Sequence, residues 1–337
     1  MVHLSAGILL PIHFYLNSKT SKRTDIGDKM VVVLNKNSCG GIAINKWERI
    51  YKILNLNNST ETFIAGRNGS LDKYILESVR NGKTDFIIAG GDGSINYFVN
   101  KCIDLLEPEI LQQLKLGAVG IGSSNDFHKP FDENNILHSI PFKINFKQAA
   151  KRDVGCINYI YDGKILKKYF LINASLGITA EGNNFFNNPD FILKYLKRIN
   201  TQFAITYTIL KNILTYKNFK IKIEDRNESF TADITNVGIL KSPYFTGKLR
   251  FQSDPLLDNG LFDIHLFESL SKVELLKLFF NLSKGKRINS LYRKFWRTNR
   301  IKISSQREFA VEFDGEVITT KYAEFYVIPE LIKVCIN

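Results

Sequence analysis

The stretch FIIAGGDGSINYFVN, residues 86–100, decides how this chain is interpreted. An apolar run ends at two glycines, an aspartate, a third glycine and a serine follow, and apolar residues then recur at helical spacing. Glycines at a strand end let the backbone approach a ligand closely, and the amino end of a helix favours anions. The stretch therefore predicts a strand, a phosphate-holding loop and a helix, with a glycine turn that binds nothing as the alternative. It is neither a Walker A loop nor GxGxxG.

The segments on both sides of this stretch alternate between strand and helix patterns. A continuous β-branched run begins at Met30, and helical spacing follows over residues 42–54 and 70–82. Further strand patterns cover residues 84–91 and 115–124, with a helix pattern over 95–106 between them. Alternation of this kind predicts right-handed βαβ units and a parallel sheet. We therefore predict an α/β nucleotide-binding domain over residues 30–150.

The second half of the chain has a different pattern, mostly of short strands separated by turn signals. Only two segments look helical, PDFILKYLKRINTQFAITYTILKNIL and SKVELLKLFFNLSKG. We predict a second domain over residues 151–337, mostly antiparallel and built as a β-sandwich, with a boundary near 140–155. Residues 1–29 show no periodicity, and we interpret them as an extension outside the folded domains or a cloning remnant.

Composition limits the classes of protein that this chain can be. Its 337 residues are 44% hydrophobic and 23% charged, as in a globular protein with two cores. No apolar stretch reaches the roughly 18–20 residues that span a bilayer, and residues 6–16 lack the length and basic leader of a signal peptide. The 4 cysteines form no CxxC pair, which favours reduced thiols and a cytoplasmic location.

The net charge of +13 indicates an anionic partner. Basic residues cluster in three segments, LKYLKRIN (193–200), ILKNILTYKNFKIKI (209–223) and KGKRINSLYRKFWRTNRIKI (284–303). A solvated basic face is the simplest explanation. No zinc finger, RRM or homeodomain pattern is present, so we expect no nucleic-acid partner. Aromatic residues interleave the last cluster, a mixture that suits an anionic membrane surface.

Three further motifs carry polar groups that can do chemistry. VGIGSSNDF (119–127) repeats the strand–glycine–polar pattern, and ligands of open α/β sheets bind at such strand ends. In AVEFDGEVI (310–318) the Asp-Gly pair predicts a two-residue hairpin turn, which can still present Asp314 and Glu316 at a cleft. SDPLLDNGLFDIHLF (253–267) places carboxylates around an Asn-Gly turn and is either a Mg²⁺ loop or a polar turn.

Together, in this order, these motifs resemble the soluble diacylglycerol kinase family, which includes bacterial lipid kinases and the sphingosine and ceramide kinases. IIAGGDGSIN is similar to the family's Gly-Gly-Asp-Gly-Thr signature, and GIGSSNDF to its Gly-Thr-x-Asn-Asp-Phe. VVVLNKNSCGG, KRDVGCI, LDNGLFDI and FDGE resemble the opening loop, the second-domain entry, the metal loop and the Asp-Gly-Glu motif. The resemblance covers roughly residues 30–335.

The resemblance implies a nucleotide-binding domain like that of phosphofructokinase and NAD kinase, a β-rich domain, and a site in the cleft between them. It implies transfer of the γ-phosphoryl group of ATP to a lipid hydroxyl, with Mg²⁺, Asp314 as the general base and Glu316 in support. The implied nucleotide and phosphate contacts are Asn35, Thr62, Gly90, Gly91, Asp92, Gly93, Ser94, Asn96, Ser123, Asn125 and Asp126, with Asp92 and Asp126 in an aspartate–water–Mg²⁺ network. The implied metal loop comprises Leu256, Asp258, Asn259 and Leu261.

Three departures from the family pattern leave alternatives open. Ser94 replaces a threonine, Tyr97 a glutamate, and Asn259 the second aspartate of the metal loop. An amide oxygen carries no charge, so we expect this loop to bind a metal weakly unless Asp258 supplies the missing carboxylate. A non-catalytic lipid- or nucleotide-binding protein and a kinase of a soluble substrate are the alternative functions. The sequence does not name the lipid, and a homodimer through an exposed strand edge stays open.

Overall fold

The computed structural model describes residues 30–38, 43–54, 61–65, 70–226, 228–247, 249–284 and 293–336. The interpretation of residues 1–29 lies outside these ranges. Within them, no helix is both long and apolar enough to cross a bilayer.

The first half folds as the predicted parallel sheet flanked by helices. Its strands are β1 (Val31–Leu34), β2 (Glu61–Ile64), β3 (Asp85–Gly90) and β4 (Lys115–Gly120), and its helices are α1 (Ala43–Tyr51), α2 (Leu71–Arg80), α3 (Asp92–Leu105) and α4 (Pro108–Leu111). The strand order is β2–β1–β3–β4, with every neighbour parallel. Alternate residues of β1 enter two different cores, Val31 and Val33 on one side and Val32 and Leu34 on the other. Burial on both faces explains the continuous apolar run.

The second half is antiparallel, as predicted. The hairpin of β5 (Ile136–Leu137) and β6 (Ile140–Lys143) still belongs to the first half, where β6 pairs antiparallel with β4. The elements of the second half are β7 (Ala149–Tyr161), β8 (Lys164–Phe170), β9 (Asn173–Gly177), α5 (Ile178–Asn187), α6 (Phe191–Ile199), α7 (Thr201–Thr215), β10 (Phe219–Asp225), β11 (Glu228–Leu240), β12 (Tyr244–Phe245), β13 (Leu249–Arg250), β14 (Phe262–Glu268), α8 (Lys272–Ser283), β15 (Arg293–Thr298), β16 (Arg300–Phe313) and β17 (Glu316–Cys335). Strand β11 pairs along its length with β10, β9 and β14, so the strands wrap around one apolar core.

Three expectations for this half were wrong in detail. The run KYFLINASLGI is not one strand, because β8 and β9 are separated at Leu171 and Ile172. Helix α5 was not expected from a sequence as polar as ITAEGNNFFN. It forms because it packs on α7, where the rings of Phe185 and Tyr207 lie 6.2 Å apart, and tertiary packing of this kind overrides weak helix propensity. The long predicted helix is divided into α6 and α7 at Asn200.

Strand β17 joins the two halves into one continuous sheet. It pairs antiparallel with β16 and with β7. Near its end it also pairs parallel with β4, where Lys333 lies opposite Lys115. The predicted boundary near residue 150 falls at the start of β7. The end of the predicted second domain thus completes the sheet of the first, which fixes the hairpin turn before β17 relative to the glycine loop after β3.

Candidate active site

The loop after β3 is shaped by contacts that only glycine permits. A Cβ on Gly90 would collide with the side chain of Ser94, which stands in the first turn of α3. The Ser94 hydroxyl accepts a hydrogen bond from the Asn35 side-chain amide at 2.9 Å and lies 3.3 Å from the Ser38 hydroxyl. The carboxyl ends of β1 and β3 therefore meet at a small polar cluster beside the amino end of a helix. This arrangement suits an anion.

The loop after β4 packs directly on the loop after β3. A Cβ on Gly122 would overlap the Cα of Gly91, so the two backbones touch without side chains between them. Asn125, in the left-handed region at φ 54°, shapes this loop by accepting from the Gly122 N–H at 3.1 Å and donating to the Gly120 carbonyl at 2.9 Å. Its amide is thus used inside the loop, whereas Ser123 is exposed at the loop surface.

Asp92 links the two glycine loops. Its carboxylate accepts hydrogen bonds from the backbone N–H groups of Asp126 and Phe127, both at 3.0 Å. The carboxylate of Asp126 in turn accepts from Lys129 Nζ at 2.7 Å and from the Gly247 N–H at 3.0 Å. Burial and the neighbouring charge of Asp126 raise the pKa of Asp92. Both aspartates therefore hold backbone in place, which explains a carboxylate inside a phosphate-type loop.

Asp314 lies at the predicted two-residue hairpin turn between β16 and β17. Both turn residues have positive φ, 46° for Asp314 and 91° for Gly315, as such turns require. The Asp314 carboxylate accepts from the backbone N–H groups of Leu171, Ile172 and Asn173 at 2.6, 3.0 and 3.1 Å. The break between β8 and β9 exists because these N–H groups point at the carboxylate instead of a neighbouring strand.

The two halves of the chain meet at Asp314 and Asn96. The Asn96 amide on α3 donates to Asp314 Oδ2 at 3.0 Å and to the Tyr169 carbonyl at 2.8 Å. Asp314 is only 6% exposed, and its burial raises its pKa although the N–H donors act in the opposite direction. A carboxylate from the second half is thereby held one turn from the glycine loop of the first.

Two charged residues near this carboxylate were not among the predicted site residues. Glu312 is buried and accepts from the Ser175 hydroxyl at 2.8 Å and from the Gly315 N–H at 2.9 Å. Arg152 is buried too, donates to the Leu171 carbonyl at 2.8 Å and lies over the Phe127 ring. Burial raises the pKa of Glu312 to about 7 and lowers that of Arg152 to about 10. In the sequence, Glu312 alternates with apolar residues in AVEFDGEVI, and Arg152 lies in KRDVGCI.

The buried Glu312 predicts a measurable pH dependence of stability. Its pKa rises from an ordinary 4.5 to about 7 on folding, so the folded state holds this proton more tightly than the unfolded state. The stabilisation is complete below pH 4.5 and is lost as pH rises toward 7. At about 1.4 kcal/mol per pKa unit, we expect the free energy of unfolding to fall by about 3 kcal/mol across that window relative to Glu312→Gln.

Chemical denaturation of both proteins at a series of pH values measures this difference. The buried His128 and His265 do not contribute to the pKa shift of Glu312 and are present in both proteins, so the comparison removes their share of the pH dependence. A difference that stays constant from pH 4.5 to 7.5 would show that Glu312 ionises normally.

The predicted metal loop is arranged around a lysine. Lys241 Nζ donates to the Leu256 carbonyl at 2.7 Å, the Leu261 carbonyl at 3.0 Å and the Asn259 side-chain oxygen at 3.3 Å. Asp258 is exposed and takes no part in these contacts. Three of the four predicted ligands thus surround an ammonium, and the residues present do not fit a divalent cation at this position.

The remaining predicted site residues lie at the edges of this cluster. Thr62 is in the middle of β2, opposite Val32, and so stands two residues before the carboxyl end of its strand. Gly93 is exposed in the first turn of α3. Glu316 begins β17 and is half-buried beside the Asp314 turn. Of the predicted set, the structure brings Asn35 to Ser94, Asp92 to Asp126, and Asn96 to Asp314.

Two family models match this chain in order. The diacylglycerol kinase catalytic domain matches residues 29–155, and the YegS C-terminal NAD kinase beta sandwich-like domain matches residues 174–336. These ranges correspond to the α/β half and the antiparallel half of the fold.

Individual proteins are similar over most of the chain. A Streptococcus pneumoniae protein that carries the provisional name lipid kinase is 25% identical over 91% of this chain and 97% of its own length. A Staphylococcus haemolyticus diacylglycerol kinase is 27% identical over 77% of this chain and 74% of its own. The crystal structure of a Bacillus anthracis diacylglycerol kinase superposes with a TM-score of 0.63 at 15% identity, covering 92% of this chain and 97% of that one. At this sequence identity the comparison shows a shared fold and no more.

Proposed function

The chain belongs to the family of diacylglycerol kinases and related lipid kinases, and on that premise we propose that it transfers the γ-phosphoryl group of ATP to a lipid hydroxyl. The observation that carries the proposal is the hydrogen bond between Asp314 and Asn96. It holds a buried carboxylate beside the helix whose amino end forms the glycine loop. Phosphoryl transfer needs phosphate positioning and a base for the attacking hydroxyl, and this contact joins the two.

We assign the following roles to the predicted residues of the nucleotide loops and to Asp314 as part of this proposal. Backbone N–H groups of the loop from Gly90 to Ser94 hold phosphate, and Asn35 and Ser123 contact the nucleotide, as does Thr62 at the sheet edge. Asp92 and Asp126 keep the two glycine loops together. The lipid hydroxyl oxygen forms a bond to the γ-phosphorus, the bond to the bridging oxygen of ADP breaks, and Asp314 takes the hydroxyl proton.

The hydrogen bonds of Asp314 indicate which atom acts as the base. Backbone N–H groups fix both oxygens, and among the described residues the one side-chain donor is Asn96, at Oδ2. The Asn96 amide has a second acceptor in the Tyr169 carbonyl at 2.8 Å. The Asn96 amide can therefore release its hydrogen bond to Asp314 Oδ2 and keep the one to the Tyr169 carbonyl. A substrate hydroxyl would replace it there, and the raised pKa of Asp314 makes it a better proton acceptor.

Mg²⁺ would enter with ATP, where it neutralises the charge of the phosphates. In the part of the chain that the structure describes, no group of three or more His, Cys, Asp or Glu side chains could hold a metal ion. The oxygens of Asp92 and Asp126 already accept backbone and lysine hydrogen bonds. Their part in the proposed network is therefore to shape the loops.

Helices α6 and α7 supply a surface suited to a lipid bilayer. They carry exposed apolar side chains at Phe191, Phe203 and Leu214, which are 86%, 60% and 74% exposed. Exposed basic residues, among them Lys194 and Arg198, lie on α6 between them. Mixed apolar and basic faces of this kind bind anionic membrane surfaces.

This surface, which we call the α6–α7 face, borders the catalytic turn. Helix α5 packs on α7, and the Asn187 amide at the end of α5 donates to the Gly315 carbonyl at 3.3 Å. The Lys197 ammonium on α6 donates to the Phe186 carbonyl of α5. A bilayer on the α6–α7 face would thus bring lipid hydroxyl groups to the side of the molecule that carries Asp314.

Removing apolar side chains from the α6–α7 face should weaken membrane binding. Each side chain contributes on the order of 1 kcal/mol at the interface, so we expect Phe191→Ser/Phe203→Ser/Leu214→Ser to lower partitioning by about 100-fold. Cosedimentation with vesicles of phosphatidylglycerol and phosphatidylcholine measures this. Ile165→Ser/Val273→Ser is the matched control, since both residues are exposed elsewhere, 72% and 61%. Equal losses for both variants would contradict the assignment of this face.

The proposed reaction is tested with labelled ATP and mixed micelles of diacylglycerol, phosphatidylglycerol, ceramide and a sphingoid base. A phosphorylated lipid from the wild-type protein supports the proposal and identifies the acceptor. Lipid and nucleotide binding without any turnover, at all Mg²⁺ concentrations, would overturn it in favour of a binding protein. Phosphorylation of soluble compounds that is indifferent to detergent would instead indicate a kinase of soluble substrates.

A further inference from the structure

Lys241 is buried in a cage of oxygen atoms. It follows β11, its side chain is 0% exposed, and so is that of its ion-pair partner Asp153, at 2.8 Å. The backbone carbonyls of Leu256 and Leu261 and the amide oxygen of Asn259 complete the cage. Carbonyl, amide and carboxylate oxygens converging on one point are the ligand set of a hard cation such as Mg²⁺ or Ca²⁺.

The distances in this cage suit an ammonium. The closest three oxygens lie 2.7, 2.8 and 3.0 Å from Nζ, one for each N–H, and the Asn259 oxygen follows at 3.3 Å. Mg²⁺ holds oxygen at about 2.0–2.1 Å and Ca²⁺ at about 2.3–2.6 Å. The Asn259 oxygen also accepts from the Leu261 N–H at 3.1 Å, which fixes the loop at this wider radius.

The charge of the cage also matches one positive charge. Asp153 is the carboxylate that contacts the ammonium, because Asn259 is neutral and the exposed Asp258 takes no part in these hydrogen bonds. The contacting pair of Lys241 and Asp153 is neutral, and the buried Arg152 guanidinium already adds a positive charge next to it, so a divalent ion in place of the ammonium would add a further buried positive charge. Burying an unbalanced charge is costly.

We propose that the Lys241 ammonium takes the place of a divalent cation in the loop of residues 256–261, so that this loop is held by a cation built into the chain. Asp153 extends the connection by accepting from the Gly260 N–H at 2.7 Å and the Glu330 N–H at 3.0 Å. The cage therefore ties β7, β11, β17 and the loop together without a bound metal.

Two hydrogen bonds through Ile172 connect the cage to the catalytic turn. The backbone N–H groups of Lys241 and Ser242 both donate to the Ile172 carbonyl, at 2.9 and 2.8 Å. The Ile172 N–H donates to Asp314 Oδ1. With Lys241 as an internal cation, the backbone around Ile172 that donates to Asp314 is held in place at any divalent ion concentration. The divalent ion requirement then reduces to the ion that accompanies ATP, a consequence that rests on the proposed function.

The experiment measures Mn²⁺ binding by electron paramagnetic resonance and thermal unfolding, both without nucleotide. For the wild type we expect the same melting temperature in EDTA and in MgCl₂, and no Mn²⁺ bound at this loop. For Lys241→Ala/Asn259→Asp, which removes the ammonium and adds a carboxylate, we expect one bound Mn²⁺ per chain and a melting temperature that rises with MgCl₂.

The wild-type measurements decide the proposal even if the double variant does not fold. Mn²⁺ binding by the wild type that disappears in Asn259→Ala would overturn it, as would a wild-type melting temperature that EDTA lowers and MgCl₂ restores. Neither readout needs catalytic activity, so failure of the lipid kinase assay leaves this test intact. If the kinase assay succeeds, the wild-type rate should saturate once all ATP carries Mg²⁺. A second rise at higher free Mg²⁺ would contradict an internal cation.

Discussion

Asp314→Asn is expected to lower the turnover number by about 10²–10⁴-fold, the range that a positioned general base contributes. Asparagine keeps the size of the side chain but cannot take the hydroxyl proton. The glycine loop and the Asn35–Ser94 contact are formed by other residues, so nucleotide affinity should stay within a few-fold of the wild-type value. Steady-state kinetics with the lipid acceptor and calorimetric titration with ATP measure the two effects separately. A variant that turns over normally would show that Asp314 is not the base.

The same variant carries a structural cost that has to be measured beside it. The new amide N–H₂ would face backbone N–H groups where the Asp314 carboxylate accepts four hydrogen bonds. An unpaired buried donor costs about 1–3 kcal/mol, so the melting temperature should fall. Glu316→Gln is the companion variant, since Glu316 is half-buried outside this set of donors. A large loss of turnover in Glu316→Gln with an unchanged melting temperature would show that the two carboxylates share the role of base.

Gly122→Ala is expected to have the second largest effect, because it separates the two glycine loops. The added Cβ would meet the Gly91 Cα, and backbone cannot move aside as a flexible side chain can. Overpacking typically costs 1–3 kcal/mol, and we expect about 3 kcal/mol here together with loss of ATP binding. Chemical denaturation gives the change in the free energy of unfolding.

Gly93→Ala is the matched control for stability. A Cβ on Gly93 has nothing within 4 Å, and the residue lies in the first turn of α3, where alanine favours the helix. Its free energy of unfolding should equal or exceed that of the wild type. Equal destabilisation of the two variants would mean that the close approach of Gly91 and Gly122 does not govern the stability of these loops.

The parts of the fold that the sequence predicted correctly are those set by local pattern. The apolar run of β1 alternates between two cores, and the Asp-Gly pair of residues 314–315 forms the expected turn. Helix α5 was not predicted because it is stabilised by packing on α7, and the intrinsic helix propensity of its residues is low. The break at Leu171 and Ile172 also escaped, since it is caused by a carboxylate 142–143 residues away.

The candidate site divides in the same way. Glycines and polar residues at strand ends can be recognised because their spacing follows the strand–loop–helix unit. Lys241, Asp153 and Glu312 cannot, because a lone charged residue in a sequence does not reveal that it will be buried or which oxygen atoms will surround it. The metal-loop prediction shows the same limit. It identified the oxygen donors, but the lysine that contacts them lies 15–20 residues earlier in the chain.

The path of β17 has a consequence for how this protein is made. Its residues Lys333 and Val334 pair with β4, whose own residues leave the ribosome roughly 200 residues earlier. At about 5–20 residues per second, part of one edge of β4 waits about 10–40 s for its partner strand. The nucleotide-binding half therefore cannot complete its sheet during its own synthesis. A chain truncated within β17 would lack both the strand that completes the sheet beside β4 and the strand that anchors the catalytic turn.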